Sequence, residues 1–330
     1  MTLHSRIGAC LVGASLFAMA GSAFAAQLQD VQIPISSISF GTAAARLIKE
    51  MGLFEKHGIN ARIVTMDSGN AATTALISKS VDVTLSGPGE LIAAQARGQK
   101  LVIIANAYNG LSASLVLSKA AVDKLGVKAD APPAERLKAL NGLIIGTPSA
   151  TSAYTVAFKS AAEKAGANIR FTYMAQPAMA AALESGAIQG YIAGAPFWGL
   201  PVSKGTGVLW LSGPKAELPA ESMPASSVSL QALRDVAEAK SDQMKNLAAA
   251  FDDLSKAIDE RPDEVKAALG KLYPDLDAAT LDLLFKSESP AWKARKLTAA
   301  DMQHEIDFVK LSGVPLPQID SVDPVSMVLP

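Results

Sequence analysis

The sequence predicts an α/β protein built from two similar βαβαβ lobes, and three observations carry this. One supersecondary unit occurs twice. Ala181 to Trp198 reads as a helix end, a Gly break at Gly186, a short buried strand and a Gly/Pro/aromatic loop, and Thr74 to Glu90 is a weaker copy of it. The pairing sets Leu76 against Leu183, Val81 against Ile188, Asp82 against Gln189 and Gly87 against Gly194. Each half also alternates short strands with helical segments across short loops. Finally, the chain has 330 residues and 49% hydrophobic content, enough for two substantial cores.

Residues 1–25 read as an export segment outside the fold. His4 and Arg6 precede an apolar run from Ile7 to Ala20, and Ala23-Phe24-Ala25 gives a small-x-small cleavage pattern. The run falls short of the ~20 apolar residues that span a bilayer, so a cleaved secretory signal is favoured over an anchor. Cys10 is the only cysteine and lies ahead of most of the apolar run, the wrong order for lipidation. A mature chain without cysteine has no disulfide framework and suits a bacterial periplasm. The formal net charge of −1 favours neither nucleic acid nor an anionic membrane as partner.

The first lobe opens with the alternating strand Val31 to Ile35 and a hydroxyl-rich turn, Ser36 to Gly41. A helix carries Ala43, Leu47, Ile48 and Met51 and stops at Gly52. The strand Ala61 to Met66 follows, and Asp67-Ser68-Gly69-Asn70 offers N-caps for a helix reaching about Ser78. Val81 to Leu85 is a strand, Pro88 suits the first turn of the next helix, and Leu101 to Ala105 is buried strand. Such an order implies a parallel sheet. Ser114 to Ser118 is extended and reads as the first crossing between lobes. The pattern then restarts, with strand Leu143 to Gly146, turn Thr147 to Ser152, helix Tyr154 to Lys164, strand Ile169 to Tyr173, a helix from Gln176 to Gly186, and strand Gly190 to Ala193. Val208 to Leu211 is one more strand, and Ala225 to Ser229 reads as the return crossing. Helices fill the chain from Leu230, and the tail beyond Pro315 is extended or irregular. The expected division is therefore 26–112 plus 226–330 for one lobe and 113–225 for the other.

On these residues the chain resembles the periplasmic solute-binding proteins of nitrate/sulfonate/taurine/bicarbonate-type ABC importers. The matching stretches are Met51 to Ile59 before a strand, Ser68-Gly69-Asn70 at a helix start, Ala75-Leu76 with Val81 to Val83, Leu140 to Gly146, and Ala182 to Ile188. The resemblance implies a type II periplasmic-binding-protein fold, two lobes on a two-segment hinge that close on a small-molecule ligand, and ABC permease subunits as partners of a monomer. Gln189 stands where relatives often carry an acidic residue after the helix, and Ala195-Pro196-Phe197-Trp198 replaces the acidic or Trp-containing pattern often seen before that proline.

In open α/β sheets, ligands bind beyond the carboxyl ends of the strands. The residues there are Ser36, Ser37, Ser39 and Phe40, then Ser68, Gly69 and Asn70, then Ser86 and Gly87. The second lobe supplies Thr147, Ser149, Thr151, Ser152, Tyr154, Gln176, Phe197 and Trp198. Hydroxyls, amides and glycines dominate and no Lys or Arg occurs among them. Positive character would come from helix N-termini, which predicts a small anion of sulfonate, nitrate, bicarbonate or carboxylate type, with a neutral ligand as the alternative. Phe197-Trp198, and Phe40 with them, would wall an organic remainder. Glu90 reads as a stabiliser of its own helix start rather than a holder of a ligand amine. No metal-ligand cluster, nucleophile elbow or phosphate loop is present, so no cofactor and no catalysis are expected. The rival reading, a ligand-sensing partner of a membrane receptor, would use the same cleft.

Overall fold

The computed structural model describes residues 28–329; the expected export segment 1–25, with Cys10, lies outside them. The first stretch runs β1 (Gln29–Ile35), α1 (Ala43–Glu50), α2 (Leu53–Lys56), β2 (Ile59–Thr65), α3 (Gly69–Ile77), β3 (Val83–Ser86), α4 (Pro88–Gln95) and β4 (Leu101–Asn109). The second runs β5 (Ser114–Ser118), α5 (Lys119–Leu125), α6 (Pro133–Lys138), β6 (Ile144–Thr147), α7 (Ala153–Lys164), β7 (Arg170–Tyr173), α8 (Gln176–Glu184), β8 (Gly190–Ala193), α9 (Gly199–Ser203) and β9 (Gly207–Ser212). The chain ends with β10 (Ser226–Leu233), α10 (Arg234–Ala239), α11 (Ser241–Glu260), α12 (Pro262–Leu272), α13 (Ala278–Glu288) and α14 (Ala299–Leu311). The internal repeat is visible in these bounds. Helices α3 and α8, like strands β3 and β8, keep the offset of the Leu76–Leu183 pairing.

Local chemistry explains the boundaries. Gly52 takes a left-handed φ of 68° to end α1, a conformation that favours glycine. Ser68 and Ser152 cap α3 and α7, their hydroxyls accepting from the amides of Ala71 and Thr155.

The strands form two five-stranded sheets, ordered β2-β1-β3-β10-β4 and β7-β6-β8-β5-β9. Their plans are the same, and each departs from the all-parallel expectation at one strand. Strand β10 runs antiparallel between β3 and β4, pairing Leu230 with Leu85, and β5 runs antiparallel between β8 and β9, pairing Leu115 with Ile192. These are the two extended crossings. Both are buried, β5 through Leu115, Val116 and Leu117 and β10 through Val228, Leu230, Ala232 and Leu233, so each joins the sheet of the lobe it enters instead of remaining a linker.

Helices α1, α2, α11 and α12 cover one face of the first sheet through Leu47, Phe54, Leu247, Phe251 and Leu269, while α3, α4 and α14 cover the other through Leu76, Ile92 and Met302. Helix α13 reaches across to the second lobe, where Leu284 packs against Gly199 at the start of α9. One apolar cluster consequently runs from the first sheet through α13 to Tyr191 and Trp198. The tail is tied down as well, with Met327 buried and Val328 bridging to Ile103 of β4.

Candidate functional site

The carboxyl ends of β1 and β3, the starts of α3, α4 and α7, both crossings and one face of α14 enclose a cavity of about 470 Å³. Among the expected residues it brings together Ser36, Ser37, Ser39, Asn70, Gly87, Thr151, Ser152 and Tyr154. The Ser36–Thr42 turn is held in shape from within: Ser37 and Ser39 hydroxyls lie 2.9 Å apart, and Thr42 donates to the Ser37 carbonyl at 2.6 Å. In the second lobe Ser152 Oγ sits 2.9 Å from Thr155 Oγ1, and Thr155 donates to the Ser149 carbonyl at 2.6 Å. The Tyr154 hydroxyl is 3.3 Å from Ser112 Oγ, a contact between the second lobe and the first crossing. Burial raises the Tyr154 pKa, so the phenol stays neutral.

The crossings are stitched to each other by one side chain. Ser227 Oγ donates to the Gly110 carbonyl at 2.7 Å and accepts from the Ser112 amide at 2.9 Å. Glu305 of α14, buried against the return crossing, accepts from the Ser226 amide at 2.8 Å. Burial pushes its pKa up to about 8.

The remaining expected residues lie elsewhere. Ser68 is exposed as the cap of α3, and Gly69 is buried beneath it. Ser86 is buried and donates to Gln231 Oε1 at 3.1 Å, joining β3 to β10. Thr147 is buried with its hydroxyl 2.7 Å from that of Thr155. Ser149 is exposed beside the cavity and contributes only its carbonyl to the loop. Gln176 spends its side-chain carbonyl on the Gly194 amide at 2.8 Å.

The expected aromatic wall does not line this cavity. Phe40 is fully buried, its ring 4.5 Å from that of Tyr273 and its carbonyl accepting from Trp292. Trp198 is also fully buried and donates from Nε1 to Glu288, and Phe197 packs against the main core. The loop after β8 turns inward because α13 offers it apolar surface and a buried acceptor.

Charge on the cavity wall also differs from the expectation. Glu90 lines the cavity with its carboxylate lodged between the starts of α3 and α4: a Cβ at Gly69 would lie 2.5 Å from Oε1, and one at Gly87 2.6 Å from Oε2. The helix start at Ser68–Asn70, read from sequence as an anion cradle, is already faced by this carboxylate. Among the described lining residues none is Lys, Arg or His. Sequence reasoning missed Ser112, Ser227, Glu305, Phe308 and Val309. The signal available was Glu305 itself, a carboxylate on the helical stripe Met302, Ile306, Val309. A second cavity of about 300 Å³ lies between β4, α11 and the tail, beside Arg295 and Lys296, and holds none of the expected site residues. Among the described residues no group of three or more His, Cys, Asp or Glu side chains could hold a metal ion.

The architecture is shared with known structures. The periplasmic aliphatic sulphonate binding protein SsuA from Escherichia coli superposes with a TM-score of 0.69 at 17% identity, over 89% of this chain and 97% of that one. The alkanesulfonate-binding protein SsuA from Xanthomonas axonopodis pv. citri, bound to MOPS, gives 0.68 at 16% identity, over 92% and 99%. The periplasmic nitrate-binding protein NrtA from Synechocystis PCC 6803 gives 0.61 at 13% identity, over 91% and 86%. Among curated proteins no sequence matches the chain. Residues 27–272 match the NMT1-like family. The repeated lobes, their matching sheet orders, the superposed structures and this match together establish that the chain belongs to the NMT1-like family and has the periplasmic binding protein fold.

Proposed function

We propose that the protein is a periplasmic solute-binding protein that captures a small polar molecule between its lobes and delivers it to the permease of an ABC importer. The observation that carries this is the cavity at the carboxyl ends of both sheets, lined by Ser36, Ser37, Ser39, Asn70, Thr151, Ser152 and Tyr154 and backed by the paired crossings. Hydroxyls and amides in that setting both donate and accept, which suits a polar solute stripped of water. Among the described residues the two crossings carry the chain between the lobes, so closure is a rotation about Gly110–Ser112 and Ser226–Ser227. Structural relatives described as sulphonate- and nitrate-binding favour an importer role. The anionic solute expected from the helix starts loses its first-lobe cradle to Glu90, and only the start of α7 remains open to it.

Small-angle scattering on protein stripped of solute and then reloaded with its co-purifying solute tests the reading. A smaller radius of gyration on loading is expected. No co-purifying solute and no change in dimension with any candidate would refute it.

A further inference from the structure

We infer that the solute of this cleft presents a cationic nitrogen, an ammonium or amidinium group, to the carboxylate of Glu90; this rests on the solute-binding reading above and names the ligand class.

Glu90 lies on the cavity wall, partly buried, at the third residue of α4. Its two carboxylate oxygens lie against the backbone of Gly69 and Gly87, beside the first turns of α3 and α4, as expected for a carboxylate that stabilises its own helix start. A carboxylate has about four lone-pair sites, so the backbone of two helix starts leaves acceptor capacity on the cavity side. Ion-pairing would meet that need, yet among the described residues no Lys, Arg or His lies within ion-pair distance of Glu90. A partly buried carboxylate without a cation keeps part of its desolvation cost, and burial accordingly raises the Glu90 pKa.

The arrangement also disfavours an anion. The positive ends of α3 and α4 already face Glu90. Glu305, the other acid on the wall, accepts from the Ser226 amide and supplies no positive charge. Ser36, Ser39, Asn70 and Thr151 accept as readily as they donate and can serve the remaining hydrogens of an ammonium or amidinium. Glycines at 69 and 87 let the carboxylate lie against the backbone; a methyl at either would force it to move.

Titration calorimetry tests the inference on the whole mature protein, denatured to release solute and refolded. One panel contains agmatine, benzylamine and choline; the other contains nitrate, methanesulfonate and benzoate. Any co-purifying solute is classed as cation or anion by accurate mass and electrophoretic mobility and titrated beside them. At least one cation should bind, with affinity reduced tenfold or more in Glu90→Gln and less in Glu90→Asp, which keeps the charge. Both variants should melt within a few degrees of the wild type, which separates lost recognition from lost folding. An anion that binds equally well to wild type and Glu90→Gln overturns the inference and leaves the solute-binding reading intact. Silence from both panels in a protein that carries no solute overturns both.

Discussion

Trp198 Nε1 lies 2.9 Å from Oε1 of Glu288, and the Tyr108 hydroxyl donates to the other oxygen of the same carboxylate. A single fully buried side chain at the end of α13 therefore joins the loop after β8 to strand β4, and none of the three residues lines the cavity.

Stability should fall as pH rises through neutrality. Burial pushes Glu288 up to about 7 and Glu305 up to about 8, from 4.5 in the unfolded chain. Between these values the folded protein holds protons that the unfolded chain has released. The contribution is thus full below about pH 4.5 and is lost as pH rises through the folded values. For Glu288 the displacement corresponds to roughly 3 kcal/mol at most. Urea midpoints at pH 5.5 and 8.5 check the sign, and Glu288→Gln should flatten the slope. The amide can accept from Trp198 and donate to the Tyr108 hydroxyl, so its hydrogen bonds survive.

Trp198→Ala should cost about 3–5 kcal/mol, the usual loss for removing a buried aromatic. Trp198→Phe should cost less, losing the hydrogen bond while keeping most of the packing. Since Trp198 does not line the cavity, solute affinity in the phenylalanine variant should stay within a factor of about three. Denaturant titration and calorimetry on one preparation separate the two quantities.

Gly199→Ala should destabilise by about 1–3 kcal/mol through overpacking. Its Cβ would lie 2.5 Å from Leu284 Cδ2, where α9 meets α13. Leu284 is itself fully buried and has little room to yield. In a Leu284→Ala background the same substitution should cost less, and a double-mutant cycle in urea reads that coupling.

Ser227→Ala removes both hydrogen bonds that its hydroxyl makes between the crossings, keeps the Gly110 amide to Ala225 carbonyl bond at 3.0 Å, and leaves the Ser112 amide without its acceptor. A loss of about 1–3 kcal/mol is expected, together with faster hydrogen exchange at Ser112. Ser227→Thr keeps the hydroxyl and should restore protection.

Much of the fold was legible in the residues, because glycines and caps act locally. Gly52, Ser68 and Ser152 mark boundaries by their own conformational and hydrogen-bonding preferences, and the repeat placed α8 against α3 in register. The direction of β5 and β10 was not legible. An apolar run such as Ser114 to Ser118 carries no sign of which way its neighbours point, and that depends on the path of the rest of the chain. The site was readable where it is made of loops: Ser36 to Ser39, Asn70 and Thr151 to Tyr154 do meet. It was unreadable where long-range packing decides. Trp198 sits in a loop by sequence, yet Glu288 and α13 draw it inward. Glu90 reads as a stabiliser of its helix start and lies there, and only the structure shows that the same residue lines the cavity.

The insertion of β10 between β3 and β4 has a consequence for the order in which the molecule can be assembled. All the strands of the second sheet lie between Ser114 and Ser212, so that sheet can close as soon as this continuous stretch exists. The first sheet cannot. Strands β3 and β4 are both present by Asn109, but their shared edge stays open until Ser226–Leu233 arrives from beyond the second lobe. Such late, distant pairing is the slow kind of contact. The lobe that begins the chain is thus expected to be the last to fold, with β3 and β4 exposing unpaired edges in the interval.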